Sequence, residues 1–486
     1  MDIYLKMEIK ARELEGRLLL GMVAAERGHT VLLGEQRPVV RETPGLPPGV
    51  YHDTCLYPDQ GQTQLRRQLR DRGWIITSQD EEHGLLEPTY DNYADKRYSQ
   101  VNMQLASRVF AWGPHDSACL QQVYPEESDR IEVVGSPRID LNRPELSDFF
   151  RARPKPNLPP DRPYVLFANN FTRVIGTNRI DTFVRHMRGA GYFDGDDDDF
   201  EFLQYEEAAA QMDFLPHMIR SIRQVAKAHP DITVVVRPHP QETEDSWRDL
   251  IGPADNVLVS GYGDIGRWMR GALAVVQSGD TTAFEATVAG VPLIAFTPVQ
   301  GNHAWASRFA NRFGFNASGV PELLDVLSSL REGSADHERI LAADRERLAE
   351  RITVDDQRWS AEAIVDSWQE LDAGFPTSTV DELMRRTRRA RVEWRAREVV
   401  RPAVRIGRQQ VRRLQGDGTQ VTPYLTAQKF PEIDSAELHE LIDGFRRSLG
   451  RFEDVRGQLI GPRLVALSSD RRRCLRRGLW QAVQRS

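Results

Sequence analysis

Cysteine is nearly absent: 486 residues hold three, Cys55, Cys119 and Cys474. They stand far apart and match no metal-ligand spacing, so neither a disulfide framework nor a thiolate metal site is expected, and a reducing compartment is. Cys119 reads as a small core residue. Long apolar runs are lacking too. The opening Ile3-Tyr4-Leu5-Lys6-Met7 is strand-like, with none of the apolar length that a signal peptide or membrane span needs, which points to a cytoplasmic protein. No nucleic-acid-binding motif occurs, and the arginines are not interleaved with stacking aromatics beyond Trp394, so nucleic acid is not an expected partner. The acidic run Asp194-Gly195-Asp196-Asp197-Asp198-Asp199 lacks the ligand spacing and distal Glu of an EF-hand and reads as an exposed loop. No internal repeat of fixed period is present.

What is present is the alternation of an α/β protein. Ile3 to Ile9 reads as a strand, Arg12 to Gly28 as a helix with Leu14, Leu18, Leu19, Met22 and Val23 at helical spacing, and Thr30 to Leu33 as a second strand: a βαβ unit. Strand signals recur at Trp74 to Thr77, Arg108 to Gly113 and Ile131 to Gly135. After a proline-dense stretch, Arg151 to Pro160, they resume at Tyr164 to Ala168, Thr233 to Arg237, Asn256 to Ser260, Leu273 to Gln277 and Pro292 to Phe296. The chain is too long for one core. Two Rossmann-like doubly wound domains, 1–150 and 161–375, are therefore expected, followed by a basic helical extension over 376–486. From Asp381 to Leu414, twelve arginines against Asp381, Glu382, Glu393 and Glu398 give +8, which leaves −15 for the rest of a chain of net charge −7. Within it Val400, Ala403, Val404, Gly407, Val411 and Leu414 form one stripe, with Arg401, Arg405, Arg408 and Arg412 on other faces and Pro402 in the first turn. Peripheral association with an anionic membrane surface is one expectation for 381–414; a basic helix packed on the acidic body, or simply solvated, is the other.

Ligands of doubly wound sheets bind beyond the carboxyl ends of the strands. There, Val236 is followed by Arg237-Pro238-His239-Pro240, whose prolines stiffen the turn that presents the imidazole to a phosphate oxygen. A surface His in a proline-rich turn is the alternative. Gln277 is followed by Ser278-Gly279-Asp280-Thr281-Thr282 and a helix from Ala283 to Ala289, which sets hydroxyls and open N–H groups at a helix start suited to an anion. Thr282-Ala283-Phe284-Glu285 is also a capping-box pattern, and Glu285 is equally placed to accept from a ribose hydroxyl. Toward the other half, Glu13 and the Asp80-Glu81-Glu82 triplet stand at strand ends as candidate bases or nucleophiles, against a dipole-favoured helix acid and a solvated loop. Arg138, in a Gly-Ser-Pro-Arg turn, has two readings: binding an acidic substrate group, or pairing with Asp140. Arg12 and Asn170 join it as substrate-binding candidates.

Arg237-Pro238-His239-Pro240, the Ser278 to Glu285 segment and Gly290-Val291-Pro292-Leu293-Ile294 together resemble the donor domain of GT-B-type transferases. They are similar to the His-Pro and Ser/Thr motifs of bacterial sialyltransferases and Kdo transferases and to the teichoic-acid polymerases that use CDP-glycerol. Ala11 to Arg17, Asp80-Glu81-Glu82, Phe110-Ala111-Trp112-Gly113, Gly135 to Asp140 and, in the tail, Gln428-Lys429-Phe430-Pro431 resemble a family of surface carbohydrate biosynthesis proteins. The resemblance implies a GT-B-like enzyme that holds a cytidine nucleotide through Arg237, His239, Ser278, Gly279, Thr281, Thr282 and Glu285. It would transfer a sugar, an acidic ulosonic one among the options, to a glycan or lipid-linked glycan acceptor. The donor is a substrate, no cofactor is implied, and no metal is demanded, since no Asp-x-Asp pair ends a strand of the donor half. The second His-containing loop of the teichoic-acid enzymes has no counterpart among His52, His83 and His115, which ranks glycerol-phosphate transfer below sugar transfer. An enzyme resembling UDP-N-acetylglucosamine 2-epimerases and a non-catalytic membrane scaffold are the other readings.

Overall fold

The structure, a computed structural model, describes residues 1–81, 94, 97–168, 170–176, 179–190, 198–299, 309–372, 374–389 and 429–470. Glu82, His83, Asp194 to Asp197, Trp394, the Val400 to Leu414 stripe, Gln428 and Cys474 lie outside the described residues.

Two sheets organise the chain. The first contains β1 (Asp2–Met7), β2 (Thr30–Glu35), β3 (Val50–Asp53), β4 (Ile75–Ser78), β5 (Arg108–Ala111) and β6 (Ile131–Val133). The second contains β7 (Tyr164–Ala168), β8 (Thr233–Arg237), β9 (Val257–Val259), β10 (Val275–Gln277), β11 (Leu293–Phe296) and β12 (Phe315–Ala317). A hairpin, β13 (Val455–Gly461) and β14 (Leu464–Ser469), returns to the first sheet. Helices that matter below are α1 (Lys10–Glu26), the short α2 (Pro137–Asp140), α3 (Ile180–Ala190), α4 (Asp198–Ala228), α5 (Ile265–Met269), α6 (Thr282–Ala289), α7 (Ser360–Glu370) and α8 (Ser435–Leu449).

The first sheet runs β13-β14-β2-β1-β3-β4-β5-β6 and the second β12-β11-β10-β7-β8-β9. The pairings within the second are all parallel. Its strands are buried on both faces: Val165 and Phe167 enter one core while Tyr164, Leu166 and Ala168 enter the other. That is why these strands read as continuous apolar runs with no alternation. In both sheets the strand order reverses once, between β1 and β3 in the first and between β7 and β10 in the second. At such a reversal adjacent crossovers leave to opposite faces and a crevice opens beyond the strand ends. The two-domain doubly wound arrangement expected from the sequence is the one observed.

The boundaries differ in two respects. α7, placed by sequence at the end of the second domain, buries Ala361, Ile364, Val365 and Trp368 in the first domain's core beside Leu14, Leu18 and Leu19 of α1. The tail contains a helix, α8, but it is not helical throughout. Strand β14 pairs antiparallel with β2, Val465 opposite Leu33, so the hairpin extends the first sheet. Gly34 permits this closeness, because a Cβ there would lie 2.2 Å from the Arg463 carbonyl oxygen. Strand β3 was not legible because half of it is polar. His52 bonds Thr77 Oγ1 at 2.9 Å, and Asp53 is paired with Lys6 and Arg66, all fully buried. Among the described residues, no helix is long and apolar enough to cross a membrane.

Candidate functional site

Both reversal points open onto one cleft of about 530 Å³ between the sheets, a volume typical of small-molecule sites. From the first domain Ile9 and Arg12 follow β1 and Tyr57 follows β3; from the second, Asn170 follows β7, His239 follows β8, and Asp280, Thr281 and Thr282 follow β10. The loop bearing His239 and the start of α6 therefore meet in a common space, although 42 positions separate His239 from Thr281 in the chain.

At the α6 end, Gly279 adopts φ 78°, a left-handed conformation that favours glycine and turns the chain from β10 into the helix. Thr281 is the N-cap and makes no side-chain bond to the helix N–H groups. Its hydroxyl donates to Asp280 Oδ1 at 3.0 Å and accepts from Arg138 Nη2 at 2.9 Å. The capping-box reading of Thr282 and Glu285 is overturned, because Glu285 instead pairs with Arg138 at 2.7 Å across the domain interface. Burial raises the Glu285 carboxyl above its ordinary range, opposed by Arg138. Ser278 and Gly279 shape the turn and are not among the residues that line the cleft.

His239 is oriented by its own turn: Nδ1 accepts the Gln241 N–H at 3.2 Å, which puts the proton of the neutral imidazole on Nε2. The turn is held by a residue the sequence reading missed. Glu242 Oε2 accepts the His239 N–H at 3.0 Å and the Trp247 Nε1–H at 2.7 Å, while Oε1 accepts the N–H of Phe171 in the loop that carries Asn170. Burial pushes the Glu242 carboxyl up to about 7, against the lowering effect of those three donors. A Glu between a proline-stiffened turn and the N-cap Thr243 was the available signal. Arg237 needs correction. It borders the cleft, but its guanidinium donates to the carbonyls of Ser260, Tyr262 at 2.9 Å and Gly263, bracing that loop instead of offering a free anion contact. Burial lowers it to about 10.

The described candidate acids of the first domain, Glu13, Asp80 and Glu81, are bound to other groups of the protein. Glu13 does not line the main cleft; its two oxygens accept the backbone N–H groups of Glu8 at 2.8 Å and Ile9 at 3.2 Å, closing the start of α1. Burial raises its carboxyl, with Arg12 opposing. Asp80 is fully buried and takes both Arg97 donors at 2.6 Å. Glu81 pairs with Arg17 at 2.7 Å. Glu13 and Glu81 border a neighbouring pocket of about 10 Å³, room for one water at most.

The acid that does face the main cleft from α1 is Glu15, two positions beyond Glu13. Arg153 Nη1 joins it at 2.9 Å to Asp264 of the second domain at 3.1 Å, and Arg267 Nε adds a bond to Asp264 at 2.7 Å. Burial and then Asp264 raise the Glu15 carboxyl, with Arg153 opposing. For Asp264, burial is outweighed by Arg153 and Arg267, which hold it below its ordinary range. Arg12 and Asn170 line the cleft, with Asn170 Oδ1 accepting from Thr172 at 3.1 Å. Arg138 does not pair with Asp140, whose carboxylate is taken by Arg143 at 2.9 Å and the Ser360 N–H at 2.6 Å. Among the described residues, no group of three His, Cys, Asp or Glu side chains is arranged to hold a metal ion.

No protein-family model and no curated protein matches the chain. Solved structures do resemble it distantly. A putative UDP-N-acetylglucosamine 2-epimerase from Listeria monocytogenes is 12% identical, covering 78% of this chain and 99% of its own, at a TM-score of 0.43. S. aureus MnaA in complex with UDP is 12% identical over 78% of this chain and 99% of its own, TM-score 0.44. A variant of the wall teichoic acid polymerase TagF soaked with CDPG is 12% identical over 76% of this chain and 88% of its own, TM-score 0.43. Likenesses of this depth transfer no residue's role, and the two facing doubly wound sheets stand on this chain's own strand order.

Proposed function

We propose that the chain is a GT-B-like glycosyltransferase of surface-polysaccharide assembly, which takes a sugar from a cytidine-activated donor and passes it to a glycan or lipid-linked glycan acceptor. The observation that carries this reading is the meeting of His239 with the α6 start, Thr281 and Thr282, in one cleft at the reversal point of the second sheet. In this reading the donor phosphate lies at the α6 N-terminus, where the helix dipole and the Thr282 hydroxyl favour an anion and the Thr281 hydroxyl turns to it from Asp280. His239 Nε2–H donates to a phosphate oxygen. As the bond from the sugar's anomeric carbon to the phosphate oxygen breaks, charge grows on that oxygen, and these groups stabilise it more in the transition state than in the ground state.

The acceptor hydroxyl enters from the first domain, attacks the anomeric carbon and loses its proton to a carboxylate. Glu13, Asp80 and Glu81 do not line the cleft, so Glu15 takes the role of base: it is on the cleft, on the acceptor side, and its carboxyl is raised by burial although Arg153 pairs with it. An acidic ulosonic sugar remains the proposed donor group, and residues 381–414 are proposed to hold the enzyme against an anionic membrane surface, which liposome flotation with and without that segment measures. The direct experiment is calorimetric titration with CMP, CDP, UDP and GDP. The expected result is binding of a cytidine nucleotide that His239→Ala and Thr281→Ala weaken. A preference for UDP over CMP and CDP would favour the epimerase-like reading, and no binding of any of the four would overturn the proposal.

A further inference from the structure

The phosphate site assigned above already holds a cation, and that cation belongs to the other domain. Arg138 of α2 places Nη2 2.9 Å from Thr281 Oγ1 and 2.7 Å from Glu285 Oε1, with Nη1 3.2 Å from the Glu81 carbonyl oxygen. It is fixed there from behind. Gly16 of α1 lies so close that a Cβ would sit 3.3 Å from the Arg138 N and Cα atoms, so the arginine's backbone has little room to retreat. Glu285 is nearly dry, 3% exposed, and its carboxyl is raised by burial. The pair therefore costs desolvation on the acid's side and leaves the guanidinium beside the N-terminus of α6, where a nucleotide phosphate would arrive.

We propose that Arg138 is a donor-phosphate ligand contributed by the opposite domain, and that Glu285 is the internal competitor the phosphate displaces. The inference rests on the nucleotide-binding reading above. A phosphate carries more negative charge than a carboxylate and more acceptor oxygens, and a guanidinium matches it in two parallel bonds. In the exchange Arg138 Nη2 turns from Glu285 Oε1 to a phosphate at the Thr281 end of the helix, and Glu285, buried and with its carboxyl already raised, takes up a proton as it loses its cation. The exchange makes affinity depend on the phosphate and not on the nucleoside. It also ties the first domain to the second through the ligand, replacing an internal ion pair by a ligand-mediated one.

The test uses the full chain, with CDP and cytidine as probes, or UDP and uridine should UDP bind more tightly. Glu285→Gln removes the competing charge and keeps the shape. The expected result is a gain in CDP affinity of about tenfold, the size of one charge-assisted hydrogen bond, with cytidine affinity unchanged. Arg138→Ala is expected to weaken CDP by a similar factor and again to leave cytidine unchanged. In the double variant the gain from Glu285→Gln disappears. A loss of CDP affinity in Glu285→Gln, a parallel change for cytidine, or a gain that persists without Arg138 would overturn the exchange while leaving nucleotide binding intact. Failure of the unaltered chain to bind CDP or UDP would overturn the underlying reading instead, and this inference with it. If Arg138→Ala does not fold, Arg138→Gln takes its place in the cycle, because removing the Glu285 charge lessens repulsion of a nearby phosphate whether or not Arg138 is exchanged.

Discussion

The two reversal points that face each other across the cleft are built from opposite materials. On the second domain's side, His239, Thr281 and Thr282 are hydrogen-bonding groups on short stiff turns, held by Glu242 and Gly279. On the first domain's side the polar residues are charged and mostly committed: Lys6, Asp53 and Arg66 beneath β3, Asp80 with Arg97, Glu81 with Arg17. Hydroxyls and open N–H groups at a helix start offer an anion donors that carry no formal charge, whereas these buried acids of the first domain are each held by a cation. The comparison teaches that carboxylates at a strand end are poor evidence of catalysis until their partners are known, while hydroxyls at a helix start that borders a cleft are better evidence of an anion site.

The largest effect that can break this contrast lies in the first domain. Asp53→Ala leaves Lys6 and Arg66 buried without their carboxylate, and is expected to cost about 3–5 kcal/mol of stability, read by denaturant titration. Burial alone would raise Asp53, yet Lys6 and Arg66 hold it below its ordinary range, so the carboxylate stabilises the fold at neutral pH. A loss below about 1 kcal/mol would show that the cluster is not what holds the loop after β3. Next comes the base. Glu15→Gln is expected to lower the transfer rate by roughly 10²- to 10⁴-fold with nucleotide affinity kept, and Glu81→Gln to lower thermal stability with the rate nearly unchanged. Equal rate losses in the two variants would return catalysis to the triplet. His239→Ala, a smaller change, should weaken CDP about tenfold without altering the melting temperature beyond a few degrees.

A further test is a pH dependence. Glu242 has a folded value of about 7 against an ordinary 4.5 because it is buried. The folded state thus binds this proton more tightly than the unfolded state. Its contribution to stability is full below 4.5 and is lost as pH rises through 7. Nucleotide affinity should move the other way, since the ionised carboxylate accepts from His239, Phe171 and Trp247 together. Glu242→Gln should flatten both profiles between pH 5 and 8, read by calorimetry and thermal denaturation on the same samples. Profiles that match those of the unaltered chain would show that Glu242 does not set the His239 turn.

Much of this arrangement could be read from the chain. Strands β7 and β8 carry unbroken β-branched and aromatic runs because both of their faces are covered, and the turns after β8 and β10 contain residues that punctuate local structure, Pro238, Pro240 and Gly279. What stayed hidden depends on partners distant in sequence. Asp80 and Glu81 look available because Arg97 and Arg17 lie apart from them in the chain, and Glu15 goes unnoticed because a helix register differing by two residues decides whether it or Glu13 faces the cleft. Arg237 looked like an anion contact until the carbonyls of Ser260, Tyr262 and Gly263 were seen to occupy it. The hairpin of β13 and β14 was obscured by its outer strand, in which only Val455 and Ile460 are buried.

One measurement tests the central claim most directly: a crystal structure of the full chain soaked with CDP. The expected result is a phosphate group within hydrogen-bonding distance of both the His239 imidazole and the Thr281 or Thr282 hydroxyl, inside the cleft between the two sheets. A nucleotide found elsewhere, or one whose phosphates touch neither the β8 turn nor the start of α6, would contradict the account.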